Sequence, residues 1–133
     1  MIVADADLIS YFWLGVARSE AARAVRRHDE EWVAPTLWKS EFRNVLYQHM
    51  QHRDLPLTDA LQIATRVEAD MEERTYDVTT EAVLRLVDET GHSAYDCEYV
   101  ALAQQLGVSL ITGDQQVVDR FPDTAVLLEN AAG

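Results

Sequence analysis

The feature that most restricts this chain is an alternation of short apolar runs with longer stretches of helical periodicity. Ile2–Ala4, Trp32–Ala34, Tyr76–Thr79, Val108–Thr112 and Ala125–Leu128 read as strands. Helices are predicted over Leu8–Val16, Ser19–His28, Thr36 to about His52, Thr58 to about Arg74, Thr80–Thr90 and Ala94–Leu106. Pro35 stops the second strand, Thr36 is a helix cap, Leu55-Pro56 breaks a helical hairpin, and Gly91 and Gly107 are stop signals. Parallel strands need long crossovers, and here the crossovers are helical. The expected fold is α/β: a three-layer α/β/α sandwich with a mainly parallel central sheet. At 133 residues, one domain over 1–133 is expected.

Composition removes several function classes. Lys plus Arg number 11 against 23 Asp plus Glu, a formal charge of −12, so a basic nucleic-acid-binding module is a poor match. A single cysteine, Cys97, excludes an internal disulfide framework and fits a reducing cytosol. No apolar run is long enough to span a bilayer, and Met1-Ile2-Val3-Ala4-Asp5 lacks a basic leader, so a cytoplasmic protein without a membrane partner is expected. Lys39 is the only lysine.

In parallel sheets of this kind, ligands bind beyond the carboxyl ends of the strands. Asp5 ends the first apolar run, with Asp7 two residues on, and Thr112-Gly113-Asp114 follows the VSLI run. Each Asp also has a bland reading as a turn former or helix cap. Glu41 sits at the edge of the apolar stripe carrying Leu37 and Val45, where burial disfavours its charge. An ion pair with Lys39 or an arginine is one way to compensate it. Ser93-Ala94-Tyr95-Asp96 matches a capping box, which explains Asp96 locally and still leaves it at an element end.

Should Asp5, Glu41, Asp96 and Asp114 converge, their charges conflict. Two carboxylates about 4 Å apart repel by roughly 4 kcal/mol at an effective dielectric near 20. A cation relieves this, and an all-oxygen set suits Mg²⁺ or Mn²⁺. The histidines at 28, 49, 52 and 92 show no zinc-ligand spacing.

Four stretches resemble PIN-domain ribonucleases, and among them the VapC-type toxins of toxin–antitoxin pairs. MIVADADLIS looks like the family's opening strand with its first acid, Asp5. PTLWKSEFRNVL carries the second, Glu41; SAYDCEYVALAQQLG the third, Asp96; and VSLITGDQQV the fourth, Asp114, with Thr112. The resemblance implies Mg²⁺- or Mn²⁺-dependent endonucleolytic cleavage of RNA by a metal-activated water. The four carboxylates would hold the metal, and Thr112 would orient the site. It also implies a VapB-type antitoxin partner and a homodimer. Asp7 stands where the family often has a small polar residue. Glu98, about 200° around the helix from Asp96, is expected at the surface.

The charge of −12 predicts weak, salt-sensitive RNA binding and tight binding of an antitoxin whose tail places basic residues in the acidic site. Lys39 and Arg43 flank Glu41 and are candidate phosphate contacts. The run Ile9–Leu14 is apolar on more than one face; one face is expected in the core, the other either buried too or forming an antitoxin or homodimer contact. The main rival is a haloacid-dehalogenase-like phosphatase, with Asp5 as nucleophile and Asp7 as general acid. It wants a late lysine that the chain lacks, and it leaves Glu41 and Asp96 idle. A phosphoacceptor receiver module meets the same objection. A degenerate PIN domain that only binds a partner would not need all four acids.

Overall fold

The computed structural model describes residues 1–15 and 17–132. Its strands are β1 (Ile2–Ala4), β2 (Trp32–Pro35), β3 (Thr75–Tyr76), β4 (Leu110–Thr112) and β5 (Ala125–Leu127). They form one parallel sheet in the order β3-β2-β1-β4-β5, with Val3 in register with Val33 on one side and Leu110 on the other. The helices are α1 (Ala6–Leu14), α2 (Ser19–His28), α3 (Leu37–His52), α4 (Leu57–Met71), α5 (Thr80–Thr90), α6 (Ala94–Leu106), α7 (Gln115–Arg120) and α8 (Leu128–Ala131). A 3₁₀ turn over Glu72–Arg74 leads from α4 into β3. This is the α/β/α sandwich expected from the alternation.

Central strands covered on both faces need apolar side chains on both faces. Val3, Ala4, Trp32, Val33, Ala34, Leu110 and Ile111 are all buried. Helices α1 to α4 pack against one another, whereas α6 lies on β1, β2 and β4 and against α5. Helix α6 is therefore buried around much of its girth, through Cys97 and Tyr99 to Ala103. Gly107 ends it in the left-handed conformation at φ 68°, which a side chain would strain.

Several local expectations shift. Helix α1 starts at Ala6 because Asp5 caps it, accepting from the Leu8 N–H at 2.8 Å; the predicted end at Val16 lies outside the described residues. Thr36 precedes α3 in a helical backbone conformation and makes no capping bond. Helix α4 begins at Leu57 and gives way to the 3₁₀ turn after Met71. Strand β3 is two residues long and lies before most of Tyr76–Thr79. Helices α7 and α8 are additions that short polar sequences did not advertise. In the Ile9–Leu14 run, Ile9 and Ser10 are buried and Tyr11 to Leu14 are half-buried against the core. The exposed large apolar side chains lie elsewhere, notably Leu57 and Leu61 on α4.

The chain leaves β1 for β2 and β3, then returns to β4 on the opposite side of β1. That reversal opens a crevice beyond the carboxyl ends of β1 and β4. Among the described residues, no helix is long and apolar enough to cross a membrane.

Candidate active site

A cavity of about 650 Å³ occupies the crevice, lined by Asp5, Asp7, Glu41, Asp96 and Thr112 together with Ser40, Asn44, Tyr95 and Tyr99. Four sequence-predicted site residues, Asp5, Glu41, Asp96 and Thr112, thus meet in one place. Asp114 is not part of this lining, yet after burial its charge is the main influence raising the Asp7 carboxyl.

Each acid is positioned by its own element. Asp5 leaves the end of β1, and its Oδ1 caps α1. Its Oδ2 accepts from the Thr112 hydroxyl at 2.6 Å, and that hydroxyl in turn accepts from the Asp114 N–H at 3.0 Å. Thr112 is buried at the end of β4, so one side chain ties the two central strand ends together. Asp114 caps α7 by accepting from the Gln116 N–H at 2.9 Å. The cap readings are therefore correct for Asp5 and Asp114, and both still stand beside the crevice.

Glu41 projects from α3 and accepts from the Tyr99 hydroxyl at 2.6 Å. The alternative reading of Glu41 as a member of an ion pair is not met among the described residues: Lys39 reaches Glu68 on α4 instead, at 2.7 Å. Asp96 lies in the first turn of α6, with its N–H donating to the Ser93 cap at 3.2 Å. Its carboxylate does not close the capping box; Oδ2 pairs with His92 Nε2 at 2.8 Å.

The electrostatics follow from crowding. Burial and the Asp7 charge push the Asp5 carboxyl up to about 7, against the Thr112 and Leu8 hydrogen bonds. Burial raises Glu41 too, and the charges of Asp96, Asp7 and Glu98 add to it. Asp7 is raised by burial and by Asp114 and Asp96, with Arg18 in partial opposition. Among the described residues, no lysine or arginine forms an ion pair with Asp5, Asp7, Glu41, Asp96 or Asp114.

A cluster of uncompensated carboxylates with hydroxyl and amide neighbours is a donor set for a hard divalent cation. Among the described residues, no three Asp, Glu, His or Cys side chains close into a ready cage. The arrangement fits an ion that keeps much of its water and takes few direct protein ligands, which is how Mg²⁺ is commonly held.

Sequence reasoning missed three contributors. Tyr99 follows Asp96 by three residues and so shares its face of α6, a spacing that makes it findable. His92 precedes the helix, where periodicity gives no signal. Arg18 stacks over Tyr11 at 5.3 Å, grips Glu129 through Nε and Nη2 at 2.8 and 2.6 Å, and donates from Nη1 to the Gly113 carbonyl at 2.9 Å. A Cβ on Gly113 would come within 2.9 Å of that Nη1 and 3.2 Å of the Tyr11 ring. Glu98, expected at the surface, is half-buried, and burial raises its carboxyl.

This fold and site have known relatives. The family model described as PIN domain matches residues 2–126. The chain belongs to the PIN domain family. It is 27% identical over 124 residues to Ribonuclease VapC3 of Pyrobaculum aerophilum, covering 91% of this chain and 95% of that protein. The crystal structure of PAE2754 from Pyrobaculum aerophilum superposes with a TM-score of 0.73 at 18% identity, covering 93% of this chain and 81% of the other. That of FitAcB from Neisseria gonorrhoeae gives 0.69 at 18% identity, covering 96% of both. The phosphatase alternative finds no support: Lys39 is paired with Glu68 and does not line the crevice.

Proposed function

We propose that this chain is a Mg²⁺- or Mn²⁺-dependent endoribonuclease and the toxin of a type II, VapBC-type toxin–antitoxin pair. The observation that carries the reading is the set of carboxylates lining the switch-point crevice with, among the described residues, no lysine or arginine ion-paired to them. The likeness to a curated VapC ribonuclease over nearly the whole chain supports the same activity.

Asp5, Glu41, Asp96 and Asp114 would hold the cation, directly or through water. When bound, the ion would supply a water acidic enough to attack phosphorus, and positive charge opposite the phosphoryl oxygens. The rest is done by the chain. Thr112 keeps the Asp5 carboxylate turned into the crevice by donating to Oδ2. His92 Nε2 fixes one oxygen of Asp96 and leaves the other for the site. Ser40 and Asn44, one helical turn apart on α3, offer neutral polar groups along the crevice wall for the RNA backbone. In the hydrolysis a water oxygen–phosphorus bond forms, a phosphorus–oxygen ester bond breaks, and the departing ribose oxygen takes a proton.

An acidic crevice in a chain of charge −12 is expected to give weak, salt-sensitive RNA binding. It binds tightly a basic segment, which suits an antitoxin tail. We place the protein in the cytoplasm as a single PIN unit over residues 1–133 that assembles as a homodimer with its antitoxin.

The test is incubation of the purified protein with structured RNA, and separately with a small phosphate ester, under Mg²⁺, Mn²⁺ or EDTA. Metal-dependent RNA cutting is expected, falling about a hundredfold or more in Asp5→Asn and Asp96→Asn, since the ion supplies several kcal/mol of charge stabilisation. Cutting that persists in EDTA, or ester turnover through a trapped aspartyl-phosphate, overturns the reading.

A further inference from the structure

The hydroxyl of Tyr99 belongs to no acid of the site, yet it joins the elements that carry them. Its ring is 3% exposed in the middle of α6, one turn after Asp96. Its hydroxyl donates to Glu41 Oε1 on α3 at 2.6 Å, across 58 residues of sequence. One buried side chain therefore bridges α6 and α3.

We propose that Tyr99 is a positioning residue that fixes Glu41 as a ligand-competent carboxylate, holding Oε1 so that the other oxygen points to the cation. The proposal rests on the metal-dependent reading above. The physical argument is one of competition. Glu41 shares the crevice with Asp5, Asp7 and Asp96, and like charge drives it outward along the flexible glutamate side chain. Among the described residues no lysine or arginine forms an ion pair with it, and Lys39 is held by Glu68. A neutral donor on a rigid, packed ring draws it back without cancelling the charge that a cation needs. An arginine in that place would do the opposite. A hydrogen bond to an ionised acceptor is short and strong, and 2.6 Å fits that class. Partners of this kind around metal ligands typically change affinity by about ten- to a hundredfold when removed.

The experiment measures Mn²⁺ binding to RNA-free protein by the loss of the free-ion electron paramagnetic resonance signal, in wild type, Tyr99→Phe, Glu41→Gln and the double variant. Tyr99→Phe removes one oxygen and keeps the ring packing. It is expected to weaken Mn²⁺ binding about tenfold with a melting temperature within a few degrees of wild type. The double variant is expected to bind no more weakly than Glu41→Gln alone, because Tyr99 acts only through Glu41. Unchanged affinity in Tyr99→Phe, additive losses in the double variant, a collapse of melting temperature in Tyr99→Phe, or no Mn²⁺ binding by wild type each overturns the proposal. Wild type that binds Mn²⁺ but cuts no RNA removes the ribonuclease reading, and the comparison of the four proteins still decides the role of Tyr99.

Discussion

Two regions of this molecule hold half-buried carboxylates and treat them in opposite ways. At the junction of α2 and α4, Asp70 accepts from Arg26 at 2.9 Å, and Arg26 lies over the rings of Phe12 and Trp32 at 5.4 and 4.9 Å. The charge there is neutralised, and the pair sits on an aromatic floor, a structural ion pair. At the switch-point crevice, Asp5, Asp7 and Glu41 are held by neutral donors or by none, and their carboxyls rise. At the crevice, Arg18 is bound to Glu129 and only partly opposes the rise of Asp7. Where a fold has a compensating cation to hand and leaves acids without it, the unmet charge is the functional signal. Burial alone does not distinguish the two regions.

That contrast is sharpened by three substitutions. The largest effect is expected at the neutralised pair. Asp70→Ala strands Arg26 between α2 and α4 and should lower stability by about 3 kcal/mol, or about 10 °C in melting temperature. Its Mn²⁺ affinity should stay at the wild-type value, read by titration of the folded protein. A changed affinity would mean that the two regions are coupled.

The second substitution reverses the sign. Asp5 ionises near 7 in the fold and near 3.8 when the chain is unfolded, so its ionisation disfavours the folded state increasingly as pH rises from about 4 to 7. Metal-free Asp5→Asn should therefore melt above wild type at pH 8, by about 5 °C, with the gap narrowing toward pH 4. Saturating Mn²⁺ should invert the order, because only wild type gains the ion. A lower melting point for metal-free Asp5→Asn at pH 8 would show that the acid is stabilising as it stands, like Asp70.

The smallest effect concerns Thr112→Val, which keeps the shape and deletes the hydroxyl between Asp5 and Asp114. It leaves the Asp114 N–H without its acceptor and should cost about 1 kcal/mol of stability. It also removes the hydrogen bond that lowers the Asp5 carboxyl, so Asp5 should titrate higher, read by carbon-13 carboxyl chemical shifts. An unmoved Asp5 would make Thr112 merely a packing residue.

Much of this was legible in the residues, for identifiable reasons. The strands were visible because Ile2–Ala4 and Leu110-Ile111 are short apolar runs, the mark of strands covered on both faces. The strand-end acids followed from topology: a parallel sheet sends its carboxyl ends to one edge. Partner choice was not legible. Lys39 is two residues from Glu41 and reaches Glu68 instead, because side chains two apart leave a helix in nearly opposite directions. Tyr99 acquires its role through a contact with Glu41 that tertiary packing creates, whereas His92 meets Asp96 four residues on, from a position before the helix where periodicity gives no signal. Helix α7 escaped because six residues carry too little periodicity to read.

The dual role of Asp5 has a practical consequence. Its Oδ1 starts a helix, and asparagine starts helices about as well as aspartate does, so Asp5→Asn retains the start of α1 while removing the negative charge. Under the proposed function, a cell that the wild-type chain poisons is expected to tolerate that variant in quantity, with the fold that would engage an antitoxin retained. The start of a helix and the charge at the crevice are thus separable by a single change of carboxylate to amide.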